Sequence, residues 1–266
     1  MLRKILIKNP SLRLLSTKAR NVNESDVNHL SNFADDWWDK NGSMKALHAI
    51  NQLRVPLVRD GLISTGLIPE NKINKPNVLS GIKILEVGCG AGILTEALAK
   101  LQATVVALDP SEKLLSAARN HLKDKNFDIE YVCATVEEHS ESNQEKYDAV
   151  VASEVLEHVP DQKSFLRECV NCMKPGGSIF VTTMNKTQVS YLGGILAAEY
   201  ILNLVPKGTH DFEKFISPND VSKILSEYNC NTILVHGFRY EFWQNVAKWQ
   251  KCDDINYALQ AVKNSS

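Results

Sequence analysis

The run Ile82-Lys-Ile-Leu-Glu-Val-Gly-Cys-Gly-Ala-Gly92 limits what this chain can fold into more than any other stretch. Ile82, Ile84, Leu85 and Val87 give a short apolar segment, the signature of a strand buried on both faces. Glycines at 88, 90 and 92 break it, and Ile93–Lys100 then reads as a helix. A strand that turns into a helix over glycines lets backbone approach a ligand, beside the positive end of a helix dipole.

The residues around the glycines narrow the ligand. Glu86 stands two positions before Gly88, where dinucleotide-binding loops usually carry a small or apolar residue. The spacing is G-x-G-x-G rather than the G-x-G-x-x-G that seats a pyrophosphate. A second strand, Ala103–Leu108, ends in Asp109, placed to reach both hydroxyls of a ribose. Two such acids suit a ligand with an amine, a ribose and no phosphates, as in S-adenosylmethionine. Glu86–Gly92 with Asp109 resembles motif I and its partner acid in class I methyltransferases. That resemblance implies an α/β, Rossmann-like fold with a seven-stranded, mostly parallel sheet flanked by helices. An NAD-type Rossmann domain is the alternative.

The chain has 266 residues, enough for one α/β domain with additions or for two small domains. A net charge of −1 weighs against a nucleic-acid partner held by bulk charge. The six cysteines show no disulfide rhythm, and Cys169-x-x-Cys172 lacks the second pair or nearby histidine of a zinc site. Residues 1–20 carry six Lys or Arg and no acid, with leucines interleaved among the bases. That is the pattern of a mitochondrial transit peptide, with a disordered basic tail as the alternative.

Residues 21–80 read as a helical cap and linker ahead of a domain over 81–266. Helices are expected over Glu24–Asp39 and Met44–Gly61, with Arg54 best suited to reach the carboxylate of the cofactor. Asn71–Ser80 is polar and reads as linker. From Gly81 strands and helices alternate, as a parallel sheet requires. Strands are expected at 82–87, 103–108, 129–133, 147–152 and 178–183, with antiparallel strands from Cys230 to about Trp243. Adenine contacts are expected from Ala134–Glu138, and Lys174–Gly177 reads as a turn. Residues 184–215 form an insertion whose centre, Val189–Val205, is apolar but carries Glu199 and Asn203. That is too short and polar for a spanning helix. It suits an amphipathic helix at a membrane surface or over a greasy substrate, or equally a buried helix.

Ser153-Glu154-Val155-Leu156-Glu157-His158 follows the fourth strand at the sheet edge where ligands bind. Glu154, Glu157 and His158 are spaced i, i+3, i+4 and would share a face of a helical turn. Such a set can hold a divalent cation such as Mg²⁺, with Glu154 and His158 as catalytic groups, or His158 can act alone as a general base.

Taken together, Phe33-x-x-x-Trp37-Trp38, Leu47-His48-x-Ile50-Asn51-x-Leu53-Arg54, Glu86–Gly92, Thr135–His139 and Leu156–Pro160 resemble the ubiquinone-biosynthesis O-methyltransferases. The segment Ala198–Asp211 adds most specificity, because generic methyltransferases lack it. The resemblance implies methyl transfer from S-adenosylmethionine to ring hydroxyls of polyprenylated dihydroxybenzoate-type and demethylubiquinol acceptors. It implies cofactor contacts at Arg54, Gly88, Gly90, Asp109 and Ser153, and Mg²⁺ at Glu154, Glu157 and His158. Ser153 replaces a frequent methionine, and Asn51-Gln52 replaces the commoner Asn-Pro. A mitochondrial member would sit peripherally on the matrix side of the inner membrane, beside other enzymes of the pathway. A methyltransferase acting on another small molecule, and a non-catalytic assembly subunit, are the competing readings.

Overall fold

The computed structural model describes residues 21–190 and 212–265. The transit segment over 1–20, most of the insertion and the Ala198–Asp211 motif therefore lie outside the described residues. In chain order the elements are α1 (Glu24–Ser31), α2 (Lys45–Ser64), β1 (Lys83–Val87), α3 (Ile93–Lys100), β2 (Thr104–Asp109) and α4 (Glu112–Leu122). There follow β3 (Ile129–Cys133), α5 (Val136–Ser140), β4 (Tyr147–Ser153), α6 (Gln162–Cys172), β5 (Met173–Met184) and the single turn α7 (Gln188–Ser190). The chain closes with α8 (Pro218–Glu227), β6 (Cys230–Glu241), β7 (Val246–Gln250) and β8 (Asn256–Lys263).

The strands form one sheet in the order β3-β2-β1-β4-β5-β8-β6-β7. The first five are parallel, while β8 joins β5, and β6 joins β8 and β7, in antiparallel fashion. The count is eight strands and not the expected seven, because the tail after Cys230 makes a hairpin as well as the strand beside β5. The order reverses between β1 and β4, and an open α/β sheet binds its ligand at that switch point.

The strands β1, β2 and β4 are buried on both faces, as their largely apolar runs require, while the edge strand β3 buries only Tyr131. One cluster packs α2, α3 and α4 onto the sheet through Leu53, Leu57, Leu98 and Leu115. The other packs α6 and α8 onto the opposite face through Leu166, Val170, Val221 and Leu225. Cys169 and Cys172 are buried free thiols of that second layer.

Three local expectations change. The helix expected over 24–39 stops at Ser31. Asp36 and Asp39 instead accept from the backbone N–H groups of Ser43 and Asn41, the turn-forming habit of Asp. The stretch 71–80 is no loose linker: Val78 and Leu79 are buried, and Leu79 N–H donates to the Leu101 carbonyl. Lys174–Gly177 does turn, but as a bulge inside β5, whose pairing jumps from Tyr147↔Met173 to Ala149↔Ser178.

Candidate active site

A cavity of about 510 Å³ opens along the carboxyl edge of the sheet, where β1, β2, β4 and β5 end. Glu86, Gly88, Gly90 and Asp109 line one part, Arg54 and Ser153 lie beside them, and Glu154, Glu157 and His158 come next. All the residues expected to bind cofactor therefore meet in one space.

The glycines are required by the protein itself as well as by any ligand. Gly88 has φ +72°, and a Cβ there would lie 2.4 Å from the Val155 side chain. At Gly90, with φ +55°, a Cβ would lie 2.6 Å from the Trp37 ring. Trp37 thus seats the N-terminal segment on the glycine loop, while the Trp38 indole N–H donates to the Ala91 carbonyl at 2.9 Å. The paired tryptophans clamp the cap onto the loop.

Asp109 caps that loop. Its Oδ2 accepts from Gly90 N–H at 2.9 Å and its Oδ1 from Ser111 N–H at 2.8 Å. Each carboxylate oxygen keeps a second lone pair, the geometry needed for a vicinal diol. Burial nevertheless pushes the acid up to about 6. Glu86, buried beneath the glycines and accepting from the Thr95 hydroxyl, is pushed up by burial to about 7.

Both shifts have a sign. A carboxyl with a higher pKa in the native than in the unfolded state takes up a proton on folding between the two values. Its contribution is present at low pH and lost as pH rises through roughly 4 to 7. An ammonium group placed at Glu86 would favour its ionised form. We therefore expect S-adenosylmethionine binding near pH 6.5 to release protons, read as a binding heat that depends on buffer ionisation enthalpy. Glu86→Gln should diminish the release, and a buffer-independent heat in the wild type would rule the ammonium contact out.

Arg54 supplies the opposite charge. It is buried on α2, held by the Asn51 side-chain oxygen at 2.9 Å and the Leu47 carbonyl at 2.8 Å. Asn51 thus positions Arg54 without the proline that commonly follows it. Burial lowers the Arg54 pKa, opposed by the fields of Glu154 and Glu86. No carboxylate lies within ion-pair distance of it among the described residues. A buried guanidinium without a counter-ion is costly, and an anionic group in the cavity would relieve it. The carboxylate of an amino-acid-bearing cofactor fits that need.

Ser153 contributes its hydroxyl, which the resemblance left in question. Arg54 Nη1 donates to Ser153 Oγ at 3.0 Å, Ser153 lies 2.7 Å from Thr182 Oγ1, and Thr182 donates to Glu154 Oε1 at 2.7 Å. Because the single Thr182 hydrogen goes to Glu154, Ser153 must donate to Thr182. A polarised chain thus runs from guanidinium to carboxylate. Thr182→Val would leave a buried Ser153 hydroxyl without its acceptor. We expect that to cost about 1–3 kcal/mol in denaturant unfolding, with Thr182→Ser restoring most of it; equal stability of Val and wild type would break the chain.

Glu154, Glu157 and His158 do not share a helical face. Glu154 has φ +56°, an uncommon conformation for a residue with a side chain, and its N–H donates to the Thr182 carbonyl as a continuation of the sheet. The turn begins only at Leu156, as a short 3₁₀ segment, so the i, i+3, i+4 spacing is not read out. Glu157 Oε2 accepts from Thr183 at 2.7 Å, and His158 Nδ1 lies 3.2 Å from Asp26 on α1. No three His, Cys, Asp or Glu side chains form a metal-holding group among the described residues. In this arrangement the triad expected to bind Mg²⁺ is spread over three partners. Burial pulls the His158 pKa down, but the Asp26 hydrogen bond and the Glu157 charge outweigh it and leave it above the ordinary value.

The turn 134–138, expected to meet adenine, lines a smaller adjoining cavity of about 90 Å³ through Thr135, Val136 and Glu137, with Gly88 and Pro110. Its form is set by a capping box between Thr135 and Glu138. Asp26, Trp37, Thr182 and Thr183 are site residues that sequence reasoning missed as such. Thr182-Thr183 at the end of an apolar strand was the available signal, since polar side chains there face the ligand edge.

The family described as a methyltransferase domain matches residues 85–181, the span from β1 into β5. The chain is also 44% identical over 261 residues to the human mitochondrial ubiquinone biosynthesis O-methyltransferase, covering 96% of this chain and 69% of the human one. It is 38% identical over 247 residues to the ubiquinone biosynthesis O-methyltransferase of Vibrio parahaemolyticus, covering 93% and 99%. The chain belongs to the ubiquinone biosynthesis O-methyltransferases. Among solved structures it is similar to the magnesium protoporphyrin IX methyltransferase of Synechocystis with bound SAH, with a TM-score of 0.60 and 19% identity over 89% of this chain and 97% of that one. That likeness bears on the fold alone. Members of that family are class I S-adenosylmethionine-dependent methyltransferases, and so is this chain.

Proposed function

We propose that this chain moves the methyl group of S-adenosylmethionine onto a ring hydroxyl of polyprenylated dihydroxybenzoate-type and demethylubiquinol-type acceptors. When bound, S-adenosylmethionine supplies an electrophilic methyl group on a sulfonium. Arg54, Glu86 and Asp109 hold and orient it from β1, β2 and α2. His158 takes the phenolic proton as the O–CH₃ bond forms and the S–CH₃ bond breaks.

The observation that carries this reading is the placement of His158. It lines the cofactor cavity with its Nδ1 turned to Asp26, as a base held by an acid is arranged. A phenol with pKa near 10 is a poor nucleophile at neutral pH, and a positioned base contributes roughly 10²–10⁴ in rate. Where Mg²⁺ binds, as the family resemblance implies, Glu154, Glu157 and His158 would hold it, and the ion would lower the pKa of the ring hydroxyl.

We also place the enzyme on the matrix side of the inner mitochondrial membrane, in peripheral contact and beside other enzymes of the pathway. The acid-free basic stretch over 1–20 and the mitochondrial mammalian relatives support this. Among the described residues no helix is long and apolar enough to cross a membrane.

The test is methyl transfer to a short-chain prenyl catechol acid, with EDTA, without it, and with Mg²⁺ restored. Transfer that persists in EDTA is expected from His158 acting as the base. Transfer that vanishes in EDTA and returns with Mg²⁺ would show that the three side chains regroup around the ion. No transfer in any condition would return the substrate to the class of other small molecules. Absence of S-adenosylmethionine binding would favour an assembly subunit.

A further inference from the structure

The far end of the cavity is built differently from the end that holds the glycines. From Glu154 it continues past Met184 at the end of β5 and Asn256 at the start of β8, to Tyr240, Phe242 and Trp243 on the β6–β7 hairpin. Met184 pairs with Asn256, and Asn256 with Phe238, so these residues lie in sequence along one sheet edge. Three strand steps separate β4 from β6, about 14 Å at the usual spacing. A single aromatic ring held at His158 does not span that distance.

The hairpin tip is tied by hydrogen bonds and carries two adjacent aromatics. Gln244 N–H donates to the Glu241 carbonyl, and Asn245 N–H to that of Phe242. The Tyr240 hydroxyl donates to Asn245 Oδ1 at 2.8 Å, and Glu241 is pinned between Arg239 and Lys248. On this fixed turn Phe242 and Trp243 meet edge to face at 4.3 Å. Trp243 is 71% exposed although it lines the cavity. Folding does not hide this indole, and its place at the mouth of a cavity suits an apolar ligand passing over it.

We propose that Phe242 and Trp243 form the exit rail for the isoprenoid tail of the acceptor, and so set the preference for prenylated over tail-less rings. This rests on the substrate class proposed above and adds the residues that read the tail. The ring sits by His158, and the tail leaves along Met184 and Ile255 and crosses the two aromatics. Covering them with isoprene removes apolar surface from water in proportion to the area buried.

The experiment compares wild type, Trp243→Ala, Phe242→Ala and the conservative Trp243→Phe on detergent-solubilised short-prenyl dihydroxybenzoate and on dihydroxybenzoate itself. The expected result for the alanine variants is a KM for the prenylated acceptor raised by about tenfold, as loss of one buried aromatic contact predicts. The kcat, the cofactor dissociation constant and the kcat/KM for the tail-less ring should hold, and Trp243→Phe should recover most of the affinity. Equal losses on both acceptors, or none on the prenylated one, would overturn the rail. So would a loss seen only with vesicle-borne acceptor, which would make the aromatics a lipid contact. Wild type that methylates neither acceptor would instead overturn the substrate class itself, an outcome separable from the others because it needs no variant.

Discussion

Asp109→Ala is expected to weaken S-adenosylmethionine binding by about ten- to a hundredfold. The carboxylate offers two lone pairs to the ribose hydroxyls, and hydrogen bonds to a charged group are worth about 1.5–3 kcal/mol. It also holds the glycine loop through Gly90 and Ser111, so alanine removes a grip on the ligand and a brace under the backbone that faces it. Asp109→Asn separates the two, since its amide oxygen still accepts from one backbone N–H while the charge is gone. Calorimetric titration gives the affinity, and a thermal melt of the unliganded variants shows the brace. An unchanged dissociation constant in a folded alanine variant would remove Asp109 from the cofactor site.

His158→Ala has a different signature. Turnover is expected to fall by about 10²–10⁴, the range for loss of a positioned general base. Cofactor affinity stays within about twofold, because none of Arg54, Glu86 or Asp109 depends on the imidazole. Single-turnover rates with saturating S-adenosylmethionine read the chemical step without interference from product release. Asp26→Asn should fall between wild type and His158→Ala, since it keeps a hydrogen-bonding partner but loses the charge. Turnover in His158→Ala close to wild type would remove the histidine from proton transfer.

The cofactor half of this site was legible because its chemistry is local. Glu86, Gly88, Gly90 and Asp109 sit at the ends of two adjacent parallel strands, and strand ends are where apolar runs visibly stop. The acceptor half was not. Thr182 and Thr183 reach Glu154 and Glu157 across 28 and 26 residues, and Asp26 reaches His158 across 132. Nothing in a helical spacing rule registers such partners. The rule failed at Glu154 in particular because the sheet claimed its backbone N–H first, which delayed the turn by two residues. The strand count failed for a simpler reason: Cys230–Glu241 is one long strand, and two further strands, β7 and β8, follow beyond Trp243, where no antiparallel strand was expected.

The buried guanidinium of Arg54, the acid of Glu86 and the cap of Asp109 share one property. In the proposed reading each would address a part of S-adenosylmethionine that the reaction leaves untouched: carboxylate, amine and ribose. The demethylated product keeps all three, and only the sulfur loses its charge. Nothing in this half of the cavity is built to tell spent cofactor from fresh. We therefore expect the spent cofactor to compete with the fresh one, read as inhibition of methyl transfer by added demethylated product, and a rate indifferent to that addition would show that some contact reads the sulfonium.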